Sequence, residues 1–332
     1  MASNALVLPP PSFHDPARMD DLHLPRYDEI ATEAEQTRRT FGVTAASEDT
    51  VRAAVFGIDC QVGFCIPGAS LYVPGALEDM QRATRFILRN AHRITSLVFS
   101  LDTHTAYQVF HPSFWMDENS QHPAPMTAIR ARDVRAGHWV PMPGLMSLEQ
   151  AVEYCESLES LGRYVLTIWP FHTMLGALDH ALVPGLFEAA HFHSLMRYTQ
   201  VHLELKGRHP QTENYSVLEP EVKTIGTSLV GVFNRPLFDR LMAHDRIYVF
   251  GEASSHCVRA TLGSLQAQVE AVAPERMGDI YILEDCMSPV PAVVDDEGEP
   301  LPGLDFPAEA QAALADFRAA GMKVVRSDTI LR

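Results

Sequence analysis

Six short apolar runs set the limits on how this chain can fold. They are AAVFGI (53–58), TSLVFSL (95–101), YTQVHLEL (198–205), RIYVFG (246–251), DIYILED (279–285) and MKVVRS (322–327). Each has the length of one strand. A run that is apolar almost throughout, rather than at every second position, fits a strand covered on both faces. RYVLTIW (163–169) is a further candidate. Helical patterns separate the runs. Val258, Leu262, Leu265, Val269 and Val272 follow one another at steps of 4, 3, 4 and 3, which makes one apolar stripe over 257–273. Residues 26–41, 76–94 and 307–320 are also expected to be helical. Strands alternating with helices need crossover connections. The expected fold is therefore α/β: a three-layer, doubly wound, mostly parallel sheet of about six strands, with helices on both faces.

Residues 1–50 read as an N-terminal extension and 51–332 as a single domain. Within that domain, 115–161 carries ENSQHPAPM and GHWVPMPG, an insertion long enough to form a lid. A second insertion, 286–306, carries the acidic run DDEGEP. The opening MASNALVLPPPSFHDP lacks the basic start and long apolar core of a signal peptide. No run of about 18 apolar residues exists, so no membrane-spanning helix is expected. The net charge of −16, from 42 acidic and 26 basic residues, argues against nucleic acid and anionic membranes as partners. Five scattered cysteines without a CxxC pair argue against a disulfide framework or a Cys-rich zinc site. A reducing, cytoplasmic setting is the expectation.

In open parallel sheets, ligands bind beyond the carboxyl ends of the strands. Asp59 follows the first run, Asp102 the second and Lys206 the third, and Cys257 lies just past the fourth. In GEASSHCVRATL (251–262), Cys257 opens a helix. The unpaired N–H groups of a helix start favour a thiolate and can hold an oxyanion. Taken singly, Cys257 could be a buried structural thiol, Asp59 a cap and Lys206 a snorkelling surface lysine. Taken together, they give a nucleophile, a carboxylate base and a cation on one edge.

Three longer motifs add a resemblance. DCQVGFCIPGASLYVPGA (59–76), KGRHPQTENYSVL (206–218) and GEASSHCV (251–258) resemble motifs of the isochorismatase-like cysteine hydrolases, and within them the nicotinamidases. The resemblance covers about 53–328. It implies a triad of Asp59, Lys206 and Cys257. It also implies a cis peptide at Glu252–Ala253 and an oxyanion hole from the N–H groups of Ala253 and Cys257. SLDTHTAYQVFHPSFW (100–115) and WPFH (169–172) resemble the metal-binding motifs of nicotinamidases. By position, Asp102, His104 and His172 would hold a divalent metal, with His111 as a fourth ligand. Zinc is the first candidate, and iron or manganese also suit such a set. Phe64, Trp169 and Tyr215 match positions that sandwich the substrate ring. The implied substrate is a small amide such as nicotinamide, and relatives self-associate, so a homo-oligomer is expected. Another small amide, a ureide or a carbamoyl compound handled without metal is an alternative, and so is a non-catalytic binding protein.

The sequence leaves the pattern at Val62-Gly63, Thr105, Thr173 and Ser255-His256, and in the length of 115–161.

Overall fold

The apolar runs become a six-stranded sheet, parallel throughout, in the computed structural model. It describes residues 6–161, 165–295, 297–300, 304–329 and 331. The strands are β1 (Ala53–Ile58), β2 (Ser96–Asp102), β3 (His202–Lys206), β4 (Arg246–Gly251), β5 (Ile280–Leu283) and β6 (Lys323–Val325). Their order is β6-β5-β4-β1-β2-β3. The register sets Ile58 beside both Gly251 and Ser100, and Asp102 beside Lys206. The four strands that lead into the candidate site are thus consecutive in space.

Alternating side chains feed two cores. Val55, Leu97 and Tyr248 enter one, and Phe56, Val98 and Val249 the other. The first core is closed by α1 (Tyr27–Phe41), α2 (Ala76–Asn90) and α4 (Pro184–Arg197). The second is closed by α3 (Leu148–Leu161), α5 (Arg235–Met242), α6 (Cys257–Val272) and α7 (Phe306–Ala319). Along α6, Val258, Leu262, Leu265 and Val269 are buried, while Val272 is half exposed at the helix end. Among the described residues, no helix is long and apolar enough to cross a membrane.

Three strand expectations need correction, the first being β6, the other edge of the sheet, where Lys323 is exposed and Val324 and Val325 are half-buried rather than covered on both faces. The run 198–205 begins its strand only at His202, because α4 continues to Arg197 and Tyr198 caps it with a left-handed φ of 51°. β3 is also an edge strand, and Leu203 and Leu205 are 46% and 37% exposed, so burial on both faces does not extend to it. The candidate at 163–169 reduces to Leu166–Thr167, paired antiparallel with Ala128–Ile129 away from the main sheet. Arg163 and Tyr164 of that run lie outside the described residues.

The N-terminal segment is packed from residue 6 onward. Leu8, Phe13 and Met19 are buried, and α1 lies against α4, where Arg26 pairs with Glu188 at 2.8 Å. Residues 115–161 send Trp115, Ile129, Val134 and Tyr154 into the second core.

Candidate active site

Four adjacent strand ends bring the candidate residues together. Lys206 Nζ lies 2.9 Å from Asp59 Oδ2, 3.3 Å from Asp102 Oδ1 and 3.2 Å from Cys257 Sγ. It also donates to the carbonyls of Asn214 (2.7 Å) and Tyr215 (3.1 Å). All of these side chains are buried except that of Asn214, which is partly exposed. Asp59 leaves β1 with a left-handed φ of 51°, a conformation few non-glycine residues adopt and one that clusters at functional sites. Ser100 Oγ donates to Asp59 Oδ1 at 2.6 Å and fixes the carboxylate from the β2 side. On the other side, Gly251 has a φ of 131°, and a Cβ there would meet the Ile58 carbonyl oxygen at 2.0 Å. Only glycine lets β4 pass β1 so closely before the turn to Cys257.

Burial pushes the Asp59 carboxyl up from its ordinary range, and Lys206 only partly offsets this. Burial opposes the charge on Lys206, yet Asp102 and Asp59 hold it well above the usual lysine range. The Cys257 thiol is driven up, first by burial and then by the two carboxylates, against the pull of Lys206. The sequence expectation of a thiolate favoured by the helix start is thus outweighed by burial. Burial favours the thiol over the thiolate, and a nucleophilic role for Cys257 would need a base such as the neighbouring Asp59.

Asp102, His104 and His172 converge, with ligand atoms within 4.8 Å of one another. Asp102 Oδ2 is 2.9 Å from His104 Nε2 and 3.6 Å from His172 Nε2. His172 Nδ1 donates to the Pro170 carbonyl at 2.7 Å, so in the neutral ring Nε2 carries a lone pair toward the carboxylate. Two acceptors facing each other in a buried site leave room for a cation, and the fixed second nitrogen is what metal-bound histidines show. Two carboxylates against one ammonium leave the same excess of negative charge. The donor set therefore fits a divalent metal. Burial raises the Asp102 carboxyl, but His104 and Lys206 pull it well below the usual range. Gln61 clamps the Asp102 backbone, accepting its N–H at 2.7 Å and donating to its carbonyl at 2.9 Å. Gly207 completes the cradle: with φ at 75°, a Cβ would sit 3.0 Å from Asp102 Oδ1 and 2.9 Å from His104 Cε1. His111 packs beside this group, its ring 5.7 Å from His104 and 5.9 Å from His172, but is not one of the three that converge.

The pocket above Cys257 is lined by Phe64, Trp169 and Tyr215, together with Ala253, His256 and Val290. Phe64 meets His172 edge-on at 5.6 Å. The aromatic wall is locked by a chain of hydrogen bonds. Trp169 Nε1 donates to Tyr215 Oη at 3.0 Å, and the Tyr215 hydroxyl donates to Glu213 Oε1 at 2.8 Å. The Glu213 N–H donates to Tyr154 Oη at 3.1 Å. Burial pushes the Glu213 carboxyl up to about 8. His256 stands against Trp169 and Tyr215. Ser255 Oγ accepts the Val290 N–H and shares a 2.8 Å hydrogen bond with His256 Nδ1. Burial drops His256 to about 3, which keeps it neutral.

The Glu252–Ala253 peptide is cis, as the resemblance implied. Among the described residues, the N–H groups of Ala253 and Cys257 have no acceptor within the chain, which leaves both available to an oxyanion. Sequence patterns did not single out Ser100, Glu213, Tyr154 or Glu252. A polar Ser100 inside an apolar strand was a signal for the first. Tyr154 lies in an insertion and gave none.

No family model and no curated protein sequence matches the chain. Solved structures do. The yeast nicotinamidase bound to the inhibitor nicotinaldehyde superposes with a TM-score of 0.51 at 17% identity, over 82% of this chain and 99% of that one. A nicotinamidase from Acinetobacter baumanii gives 0.49 at 19% identity, over 84% and 98%. A pyrazinamidase of Pyrococcus horikoshii in complex with zinc gives 0.45 at 16% identity, over 82% and 98%. At these identities the likeness is one of fold: the chain has the three-layer architecture of the yeast nicotinamidase.

Proposed function

We propose that this chain is a cysteine amidohydrolase that cleaves a small heteroaromatic amide, with nicotinamide the first candidate. One observation carries the proposal: a single buried ammonium, Lys206 Nζ, lies within 3.3 Å of a thiol and of two carboxylates at the floor of a pocket. In the proposed reaction, Asp59 takes the proton from Cys257 and the sulfur attacks the amide carbon. The carbonyl oxygen moves into the N–H groups of Ala253 and Cys257. The C–N bond breaks, and ammonia leaves with the proton returned from Asp59. Water, deprotonated by Asp59, then cleaves the thioester, releasing the carboxylic acid and the Cys257 thiol. Lys206 favours the ionised Asp59 before the proton moves and the negative sulfur after it. Asp102, His104 and His172 would hold a divalent metal, zinc before iron or manganese, and the metal would serve as a Lewis acid that orients the heteroaromatic ring. Phe64, Trp169 and Tyr215 would flank the ring. The five cysteines are all free and buried, which suits a reducing compartment.

The test is ammonia release from nicotinamide and a panel of small amides, with metal content measured on the same sample. Activity should vanish in Cys257→Ala. Full activity in that variant sinks the mechanism.

A further inference from the structure

Behind the oxyanion turn lies a second cluster of buried acids that the proposed reaction does not use. Glu252, whose peptide leads into Ala253, is wholly buried. Its Oε2 accepts the Ser288 N–H at 3.2 Å, and its Oε1 has no donor among the described residues. Asp79, on α2, is buried too, and it receives the Arg82 guanidinium on Oδ1 and the Ser288 hydroxyl on Oδ2. The two carboxyl groups converge on Ser288, which gives its N–H to Glu252 and its hydroxyl to Asp79, and the charge on each acts on the other. Two carboxylates so placed repel, whereas one carboxyl and one carboxylate form a strong bond. Asp79 has a cation and a hydroxyl donating to it, and Glu252 has a single amide. Of the two, Glu252 is thus the carboxyl better suited to hold a shared proton, and its Oε1, which has no donor among the described residues, is the oxygen free to carry it. Burial and the Asp79 charge both push Glu252 well above the usual carboxyl range. Among the described residues, the titratable groups around the pair are Arg82, with Asp285 beside it, the thiols of Cys60 and Cys65 past β1, and the thiol of Cys286 past β5. Burial pushes all three thiols up.

Ser288 ties this pair to the oxyanion turn. Its N–H meets Glu252, its hydroxyl meets Asp79, and its carbonyl accepts the Ser254 N–H at 2.9 Å. Two residues on, the Val290 N–H donates to Ser255 Oγ at 3.1 Å, and Val290 itself lines the pocket. Helix α2, the turn 252–256 and the loop 286–290 are thus joined directly behind the Ala253 N–H. We propose that Glu252 is a positioning residue of the oxyanion turn, acting through a single proton that its carboxyl shares with Asp79. The role in catalysis rests on the amidohydrolase proposal; the shared proton does not.

The test compares wild type, Glu252→Ala and Glu252→Gln. The carboxamide of Gln can donate to Asp79 and accept from Ser288, so it mimics the protonated acid without being able to ionise. Glu252→Ala should lower kcat about tenfold or more and leave KM within about twofold. Glu252→Gln should rescue most of that loss and abolish the fall in kcat that wild type is expected to show as pH rises above the usual carboxyl range. Equal kcat in the two variants, or a fall with pH that Gln does not move, overturns the proposal. Thermal unfolding against pH gives a readout independent of activity. An acid whose folded pKa is raised stabilises at low pH and loses that contribution as pH rises through the folded value. Wild type should therefore lose Tm more steeply than Glu252→Gln as pH rises above the usual carboxyl range. Identical slopes overturn the shared proton. If no amide is cleaved by wild type, the amidohydrolase proposal fails by itself, and the unfolding curves still decide the pair.

Discussion

Lys206 Nζ and Asp59 Oδ2 stand 2.9 Å apart with both side chains at most 1% exposed, so neither charge has water to fall back on. Removing one partner strands the other. Lys206→Met should destabilise the protein by about 3–5 kcal/mol at neutral pH, read from urea unfolding. Pairing it with Asp59→Asn should return much of that stability while abolishing the proposed activity. Equal instability in the single and double variants would show that the lysine matters for packing rather than charge.

The three converging ligands make a binding prediction that does not need turnover. Equilibrium dialysis against zinc should give about one ion per chain, and His172→Ala or His104→Ala should weaken binding about tenfold or more. The cue is His172 Nε2, 3.6 Å from Asp102 Oδ2 with its other nitrogen held by Pro170. Unchanged zinc affinity in both variants excludes these residues as a site. His111→Ala, beside the group, should have the smaller effect.

Tyr154 reaches the pocket wall from outside the motifs. Its oxygen accepts the Glu213 N–H, and Glu213 in turn accepts from Tyr215. Tyr154→Phe should cost about 1–3 kcal/mol by leaving a buried N–H unmet. It should also raise KM more than it lowers kcat, because Tyr215 and Trp169 lose their fixed edge.

Glu213 carries a pH signature of its own. Its folded pKa, about 8, exceeds the ordinary 4.5, so its protonated form favours the folded state. Stability from this group is full below about 4.5 and is lost as pH climbs toward 8, at up to about 1.4 kcal/mol per pH unit. Glu213→Gln should flatten the unfolding free energy across that window. A slope that survives the substitution assigns the dependence elsewhere.

Gly251→Ala tests the close approach of two strands. The added Cβ would lie 2.0 Å from a backbone oxygen, and the backbone there has a φ of 131°. A loss above about 4 kcal/mol is expected. Gly42→Ala, at φ 64° with open space around it, should cost only about 1–2 kcal/mol. Similar losses at both sites would mean that β4 shifts to accommodate the methyl group.

The central strands were legible because burial on both faces leaves an unbroken apolar run, as in Ala53–Ile58. The same rule misjudged β3. His202–Lys206 forms an edge strand whose exposure alternates, with Leu203 and Leu205 on its more exposed face. Asp59, Lys206 and Cys257 were visible because strand ends announce where charged residues must meet. Glu252 and Asp79 were not, since 173 residues separate them (252 − 79) and nothing local marks either as half of a pair. Glu213 sat inside a quoted motif, but its importance comes from Tyr154, which only packing brings near.

The ion cluster draws its sole lysine from the outermost strand of the sheet, hydrogen-bonded to a neighbour on one side alone. Edge segments are where native proteins open locally, with amides that exchange ahead of the core. When β3 frays, Lys206 withdraws from Asp59, Asp102 and Cys257 together, although β1, β2 and β4 remain paired. For the proposed reaction, the free energy of that local opening would set the competent fraction, so activity is expected to be lost on heating while most of the sheet still protects its amides.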